Sequence, residues 1–204
     1  LMIIDSNNYI LKSIEEEEVI NSYLKLTDEK ISSLDLGFVK KNSKKFFIGV
    51  QPKTLELNNL IDTSLVNITK NYCVTDKADG ERYLLYVHSN KRVYLINNRL
   101  GIKYTGLSHK SINSIIDGEY VTKDKYGREM NSYLAFDIYY LKGKNVSSNA
   151  LIKETGITRL NLLKEFVKDG FTKENKSNNM IVKVKEFYDK NIFKSSKKII
   201  DSFK

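Results

Sequence analysis

The sequence predicts an α+β protein in which antiparallel β-sheet dominates and helices flank the sheet. Three observations lead to this prediction. From residue 72 to residue 141, apolar residues recur mainly at period two, a spacing typical of strands. Short polar loops separate these runs, so neighbouring strands can pair without βαβ crossovers. Runs with helical spacing lie on both sides of this central region.

The N-terminal region is predicted to be helical over residues 9 to 36, because its apolar residues recur at near-helical spacing. Four consecutive glutamates, Glu15 to Glu18, lie inside this run. We interpret them as a solvated helix face. The alternative is a strand that presents Glu15 and Glu17 as metal-binding carboxylates. A basic polar segment over residues 40 to 45 follows, which we predict to be a loop and a candidate domain boundary.

Three further helices are predicted outside the sheet region. Pro52 precedes a short helix for which Thr54 is a candidate N-cap. A stripe of apolar residues predicts a helix that stops at Gly170, and its members are Leu160, Leu163, Phe166 and Val167. Residues 192 to 203 predict an amphipathic helix at the end of the chain.

Four strands are predicted in the central region, at residues 83–88, 92–97, 115–122 and 133–141. The segment Ser89-Asn90-Lys91 predicts a hairpin between the first two strands, and residues 123 to 127 predict a turn between the last two. A fifth strand is predicted at 181–188, after a polar loop at 175–179.

The composition limits the classes of function. A net charge of +9 over 204 residues favours a polyanionic partner, which could be nucleic acid, nucleotide phosphates or an anionic membrane. The abundance of Lys, Asn and Ile is equally consistent with an AT-rich coding sequence. One cysteine excludes an internal disulfide, and together with two histidines it leaves no zinc site. No apolar run approaches the about 20 residues of a membrane span.

The most specific motif is Lys77-Ala78-Asp79-Gly80-Glu81-Arg82, which follows the apolar run Tyr72-Cys73-Val74. On an extended backbone Lys77 and Asp79 project to the same face, and Arg82 can form a forked contact with a phosphate. Gly80 permits a positive φ or a close approach of the backbone. A lysine attacks phosphorus only as the neutral amine, which nearby cations or burial favour. The alternative is a hairpin turn at Asp-Gly with solvated Lys and Arg flanks.

Three downstream segments extend the pattern: Asn97-Asn98-Arg99, Ile116-Asp117-Gly118-Glu119 and Ala135-Phe136-Asp137-Ile138. The order Lys77, Arg99, Glu119, Phe136 has gaps of 22, 20 and 17 residues. In this order and spacing the chain resembles the covalent nucleotidyltransferase superfamily, which holds mRNA capping guanylyltransferases and ATP-dependent polynucleotide ligases. The resemblance implies an antiparallel nucleotidyltransferase core with flanking helices.

The resemblance also implies roles for individual residues. Lys77 is the expected nucleophile on the α-phosphate, and Asp79 is expected to orient it. The residues expected to bind the nucleotide are Arg82, Arg99, Glu119, Phe136 and Lys185. Within this set the arginines bind ribose or phosphate, the phenylalanine stacks on the base, and Lys185 contacts the guanine carbonyl oxygen. The residues expected to bind Mg²⁺ are Glu119 and Asp137.

One position separates the two branches of the superfamily. ATP-dependent ligases usually carry a glutamate two residues before the lysine, where it reads the adenine amino group, and this chain has Thr75 there. The upstream Gly49-Val50-Gln51-Pro52 also resembles capping enzymes of large DNA viruses. We therefore expect an mRNA guanylyltransferase that uses GTP and Mg²⁺ and transfers GMP to the 5′-diphosphate end of RNA.

The resemblance covers roughly residues 47 to 190. Lys183-Val184-Lys185 mimics the superfamily's later K-x-K motif, but it follows Phe136 too closely to be that motif. The E-G motif, the true K-x-K motif and the OB-fold domain do not follow, so we expect a core that is incomplete over residues 47 to 204. Residues 1 to 46 are interpreted as a candidate tail of a preceding domain.

Two alternatives stay open at this point. The first is the adenylation domain of an ATP-dependent DNA or RNA ligase. The second is a non-catalytic nucleic-acid-binding or scaffold module. Besides GTP and the RNA 5′ end, other capping-enzyme domains or subunits are expected partners, and a membrane is not. The expected location is the cytoplasm or virion for a viral protein and the nucleus for a cellular one.

Overall fold

The computed structural model describes residues 13–28, 35–61, 67–153, 155–174 and 180–202. The chain divides into two compact units. The sheet unit comprises Leu1–Gly49 and Asp79–Val184, and the small unit comprises Val50–Ala78 and Lys185–Lys204. The predicted loop at 175–179 lies outside the described residues. In the part of the chain that is described, no helix has both the length and the hydrophobicity to cross a membrane.

The described residues of the sheet unit form one sheet of eight strands. The strands are β1 (Glu81–Val87), β2 (Arg92–Ile96), β3 (Ile102–Ser108), β4 (Ser114–Lys123), β5 (Glu129–Leu141), β6 (Lys144–Asn145), β7 (Thr172–Lys173) and β8 (Ile181–Val184). Their order in the sheet is β6-β5-β4-β1-β2-β3-β7, and β8 pairs with β5. All pairs are antiparallel except the parallel pair β5 and β8.

The predicted α+β class and the four central strands are confirmed, as is the hairpin between β1 and β2. The sheet differs from the prediction in two respects. β3 and the two-residue strands β6 and β7 were not predicted, and the fifth predicted strand ends at Val184 instead of residue 188. The parallel pairing of β8 follows a crossover through a helix, which is how parallel neighbours are connected.

Helices of the sheet unit are α1 (Ser13–Thr27), α2 (Leu36–Lys41), α3 (Ser43–Phe46) and α4 (Arg159–Lys168). The predicted loop over 40–45 is therefore wrong. The side chain of Asp35 accepts a hydrogen bond from the Phe38 amide and caps α2, so helix formation begins before the lysine run. The break at Asn42, with φ −109°, separates α2 from α3.

In the small unit, the described helices are a 3₁₀ turn at Leu57–Leu60 and α5 at Ile192–Ser202. Both positions were predicted. The predicted N-cap Thr54 is wrong, because the turn starts after Glu56, whose amide donates to the Asn59 side chain.

Helix α1 packs in the same hydrophobic core as the sheet. Its buried residues share that core with apolar residues of β1 and β2: Val19, Ile20, Tyr23, Leu24, Leu84, Tyr86, Tyr94 and Ile96. The carboxylate of Glu15 accepts hydrogen bonds from Arg92 Nη1 at 3.0 Å and Tyr94 Oη at 2.8 Å. Glu17 and Glu18 are exposed, so the expected solvated face holds for them and not for Glu15. The assignment of residues 1–46 to a preceding domain stays a prediction.

A buried histidine joins β3 to α4. The His109 ring lies 4.2 Å from the ring of Phe166 and 4.8 Å from that of Phe171, measured between centroids. Its Nδ1 accepts from the Ser111 amide at 3.0 Å, so we place the proton on Nε2, which donates to the Phe166 carbonyl at 3.1 Å. Burial lowers the pKa of His109, Lys110 and Lys142 lower it further, and the Phe166 carbonyl and Asp169 only partly oppose this.

We expect the free energy of unfolding to decrease as the pH falls below about 6.5, the ordinary pKa of histidine. The folded protein holds His109 neutral, so below that pH the unfolded chain binds more protons and stability is lost on acidification. Above about pH 6.5 the stabilising contribution is complete. Urea unfolding at a series of pH values measures this slope. A His109→Gln variant with the same slope between about pH 5 and 7 would contradict the assignment.

Candidate active site

Lys77 lies in the small unit, after a short antiparallel contact between two chain segments. Val74 and Tyr188 exchange both backbone hydrogen bonds at 2.9 Å, and Thr75 Oγ1 donates to the Glu186 carbonyl at 2.6 Å. This contact is an isolated bridge. The segment before Lys77 is therefore extended only at this bridge, and the Lys77 side chain is exposed.

The same contact brings Lys185 close to Asp76, the neighbour of Lys77 in sequence. Lys185 is only 8% exposed, and its Nζ lies 4.0 Å from Asp76 Oδ1. Lys185 is thus not a solvated surface lysine. A groove of about 370 Å³ adjoins this region, lined by Val74, Thr75, Lys77, Ser196, Ile199 and Ile200. The small unit therefore combines an exposed lysine, a buried lysine and an apolar groove.

The Asp-Gly pair of the first motif leads into β1 and does not form a hairpin turn. Asp79 is exposed, and β1 begins at Glu81, directly after Gly80. A Cβ atom on Gly80 would lie 2.8 Å from the Tyr120 carbonyl oxygen and 2.9 Å from Val121 Cγ2. Close approach of the backbone to β4 therefore requires glycine at this position. The hairpin alternative is wrong.

The register of β1 and β4 brings the first and third motifs together. Arg82 lies opposite Glu119, and the Arg82 guanidinium reaches back to Asp117. Its Nε lies 3.0 Å from Asp117 Oδ1, and its Nη2 lies 2.5 Å from Oδ2. Tyr139 Oη on β5 also donates to Asp117 Oδ2, at 2.7 Å. A forked ion pair therefore connects the two motifs.

Asp117 is completely buried, whereas the Arg82 side chain is 27% exposed. Burial raises the pKa of Asp117, and the contacts with Arg82 and Tyr139 only partly offset this effect. Burial by itself would lower the pKa of Arg82, but the hydrogen bond and charge of Asp117 outweigh it, and the pKa rises. Arg82 thus stays charged and balances a carboxylate that cannot reach water.

Phe136 is the extra residue of a β-bulge. Asp117 pairs with Asp137 and Gly118 pairs with Ala135, so β5 has one more residue here than β4. A bulge redirects the side chain of the strand that carries it. The Phe136 ring centroid lies 5.8 Å from Arg82 Cζ, and the Phe47 ring lies at the same distance from that atom. Arg82, Glu119 and Phe136 are thus brought together on three adjacent strands.

Asp137 is engaged by an arginine of α4. Arg159 Nε lies 2.7 Å from Asp137 Oδ1, and its Nη2 lies 3.0 Å from Oδ2. Both oxygens of Asp137 therefore accept hydrogen bonds from Arg159. Among the residues that the structure describes, no three His, Cys, Asp or Glu side chains cluster as a metal site. The assignment of Glu119 and Asp137 as Mg²⁺ ligands stays a prediction.

Arg99 lies in the tight loop between β2 and β3, and its side chain is exposed. The Asn97 side chain holds this loop by accepting from the amides of Arg99 at 2.9 Å and Gly101 at 2.8 Å. Leu100 has φ +59° and a fully buried side chain, so burial fixes a left-handed backbone next to Arg99. The loop leaves the Arg99 side chain exposed to solvent. Its contact with ribose or phosphate stays a prediction.

Sequence reasoning missed three residues of this arrangement: Asp117, Tyr139 and Arg159. Asp117 stood inside a quoted motif, but its pairing with Arg82 depends on the register of β1 and β4. Tyr139 was visible only as part of an apolar strand. Arg159 carried no signal, because nothing in the sequence relates the start of α4 to the middle of β5.

Comparison with known proteins gives relatives of one kind. The family described as mRNA capping enzyme, catalytic domain, matches residues 15–203. A probable mRNA-capping enzyme of Acanthamoeba polyphaga mimivirus is 31% identical over 137 residues, covering 63% of this chain and 11% of that protein. The mRNA-capping enzyme subunit alpha of Schizosaccharomyces pombe is 29% identical over 181 residues, covering 79% of this chain and 43% of that protein. The chain spans less than half the length of either relative.

Proposed function

The chain belongs to the family of mRNA capping enzyme catalytic domains, and we propose from this premise that it is an mRNA guanylyltransferase. It forms a covalent lysine–GMP intermediate from GTP and transfers GMP to the 5′-diphosphate end of RNA. The observation that carries this proposal is the meeting of Arg82, Glu119 and Phe136 on adjacent strands, with Arg82 held by Asp117.

In the first step, the neutral amine of Lys77 attacks the α-phosphorus of GTP. A P–N bond forms, the P–O bond to the β-phosphate breaks, and pyrophosphate leaves with the electron pair while the amine loses a proton to solvent. Lys77 suits this role because its side chain is exposed and lines the groove. Asp79 is proposed to orient the lysine.

In the second step, a terminal phosphate oxygen of the RNA 5′-diphosphate attacks the same phosphorus. The P–N bond breaks, and the lysine amine regains a proton. A net charge of +9 supports an RNA acceptor, because cationic surfaces attract the phosphate backbone.

The nucleotide is proposed to bind through stacking and charge. The Phe136 ring supplies a face for the purine, a contact whose removal typically costs about 1–3 kcal/mol when a base stacks on a protein. Arg82 and Arg99 supply guanidinium groups for ribose or phosphate, and Glu119 supplies an acceptor for ribose hydroxyls. Lys185, buried beside Asp76, is proposed to donate to the guanine carbonyl oxygen.

Thr75 favours GTP over ATP. Its hydroxyl donates to the Glu186 carbonyl, and it offers no carboxylate to accept from an adenine amino group. Mg²⁺ is proposed to enter with the triphosphate as part of the substrate, since Asp137 is engaged by Arg159.

The test is incubation of the 204-residue chain with α-labelled GTP or α-labelled ATP and Mg²⁺, followed by a denaturing gel. We expect label from GTP and none from ATP. Label from ATP alone would replace the guanylyltransferase by a ligase adenylation domain. Label from neither, with RNA bound on a filter, would identify a non-catalytic RNA-binding module and contradict the proposal for this chain.

A further inference from the structure

We infer that Arg159 is a positioning residue for the nucleotide site, acting on Phe136 through Asp137. The inference rests on the proposed function insofar as Phe136 is the ring that stacks on the purine. Arg159 is the first residue of α4, and Asp137 directly follows Phe136 in β5. Their forked ion pair is largely buried, with side chains 18% and 11% exposed.

The bulge makes Phe136 dependent on its neighbour. Because Phe136 is the unpaired residue between Ala135 and Asp137, the sheet ladder fixes its two neighbours and not the residue itself. The carboxylate of Asp137 has a second partner besides Arg159, since its Oδ1 also accepts a hydrogen bond from the Ile138 amide at 2.8 Å. Holding the carboxylate of Asp137 therefore holds the backbone from which the Phe136 ring projects.

The remaining contacts of Arg159 are with backbone. Its Nη1 donates to the Asn149 carbonyl and, at 3.1 Å, to the Ser147 carbonyl. All three guanidinium nitrogens thus contact the protein, so Arg159 acts through Asp137 and not on the nucleotide. It joins three elements: the start of α4, the loop after β6 and the bulge of β5.

A second effect acts through charge. Asp117 and Asp137 are partners in the register of β4 and β5, and each is paired with its own arginine. Without Arg159, the uncompensated charge of Asp137 lies beside Asp117 and competes for Arg82. Arg82 would then be drawn from its position 5.8 Å from the Phe136 centroid. Loss of Arg159 therefore disturbs the Phe136 ring in two ways, through the backbone at Asp137 and through the position of Arg82.

The chain contains no tryptophan, so Phe136→Trp provides a unique fluorescent reporter at the inferred position. In this background we compare Arg159→Gln, Arg159→Lys and the control Arg128→Gln. Arg128 also forms an Arg–Asp pair, with Asp124, but in the turn between β4 and β5. Measurements are acrylamide quenching and emission maximum without nucleotide, at a temperature where circular dichroism shows each variant folded.

We expect Arg159→Gln to shift the emission maximum to the red and to increase the quenching constant. Arg128→Gln should change neither. Arg159→Lys should give an intermediate value, because lysine keeps the charge but cannot hold both oxygens of Asp137. Unchanged emission and quenching in Arg159→Gln would overturn the inference. If Arg159→Gln does not fold, Arg159→Lys decides in the same way.

A titration with GTP separates this inference from the proposed function. With GTP we expect quenching in the Phe136→Trp protein, and a half-maximal concentration about tenfold higher when Arg159→Gln is added, a change of about 1.4 kcal/mol. No response to GTP in the Phe136→Trp protein itself would contradict nucleotide stacking at residue 136. The nucleotide-free measurements would still show whether Arg159 positions that residue.

Discussion

Replacing Lys77 by alanine is expected to abolish the covalent adduct with GTP. The P–N bond of the intermediate requires an amine at this position, and alanine supplies no nucleophile. Removing a nucleophile costs far more than removing a binding contact, so the adduct rate should fall by at least about 10³-fold. The measurement is label retained from α-labelled GTP on a denaturing gel, with the folded state of the variant checked by circular dichroism.

Two further lysine variants make this result specific. Lys190 is also exposed and lies in the small unit, so Lys190→Ala controls for the loss of an exposed positive charge and should keep the adduct. Lys185→Ala should keep the adduct but require more GTP, because Lys185 is proposed to contact the base and not the phosphorus. A full yield of adduct from Lys77→Ala would show that another side chain is the nucleophile.

The predictable part of the fold is the part set by local pattern. Strands β1, β2, β4 and β5 were predicted because each lies in a run rich in β-branched and aromatic residues that is bounded by polar residues. The parallel place of β8 was not predictable, since it depends on packing between segments distant in sequence. The basic run at 40–45 was predicted to be a loop from its charge alone. The prediction failed because α2, which Asp35 caps, begins before this run and continues into it.

In the candidate site, too, some residues were predictable from local sequence and others depend on contacts between distant segments. Motif order indicated Arg82, Glu119 and Phe136, and the register of the strands then placed them together. The residues that hold them could not be found in this way. Asp117 reaches Arg82 only because β1 and β4 pair in one register, and Asp137 meets Arg159 only because α4 begins beside the bulge. Supporting contacts depend on three-dimensional pairing, which a motif does not encode.

We expect the ion pair of Arg82 and Asp117 to contribute more to the free energy of unfolding than any other single polar contact described above. Arg82→Met leaves the completely buried Asp117 carboxylate without its cation, and breaking a buried pair in this way costs about 3–5 kcal/mol. Asp117→Asn should cost less, because the Arg82 side chain keeps access to water. The measurement is the free energy of unfolding in urea for each variant.

The double variant Arg82→Met/Asp117→Asn tests whether loss of the ion pair causes the destabilisation of Arg82→Met. It removes the buried charge together with its partner, so it should be more stable than Arg82→Met alone, with a coupling energy of about 1–3 kcal/mol. Arg128→Met breaks a pair at the protein surface and should cost much less than Arg82→Met. Equal losses in Arg82→Met and the double variant would trace the effect to lost packing against Phe47 and Phe136. The observed geometry argues against that outcome, because both aromatic rings lie 5.8 Å from the guanidinium while the carboxylate lies within hydrogen-bond distance.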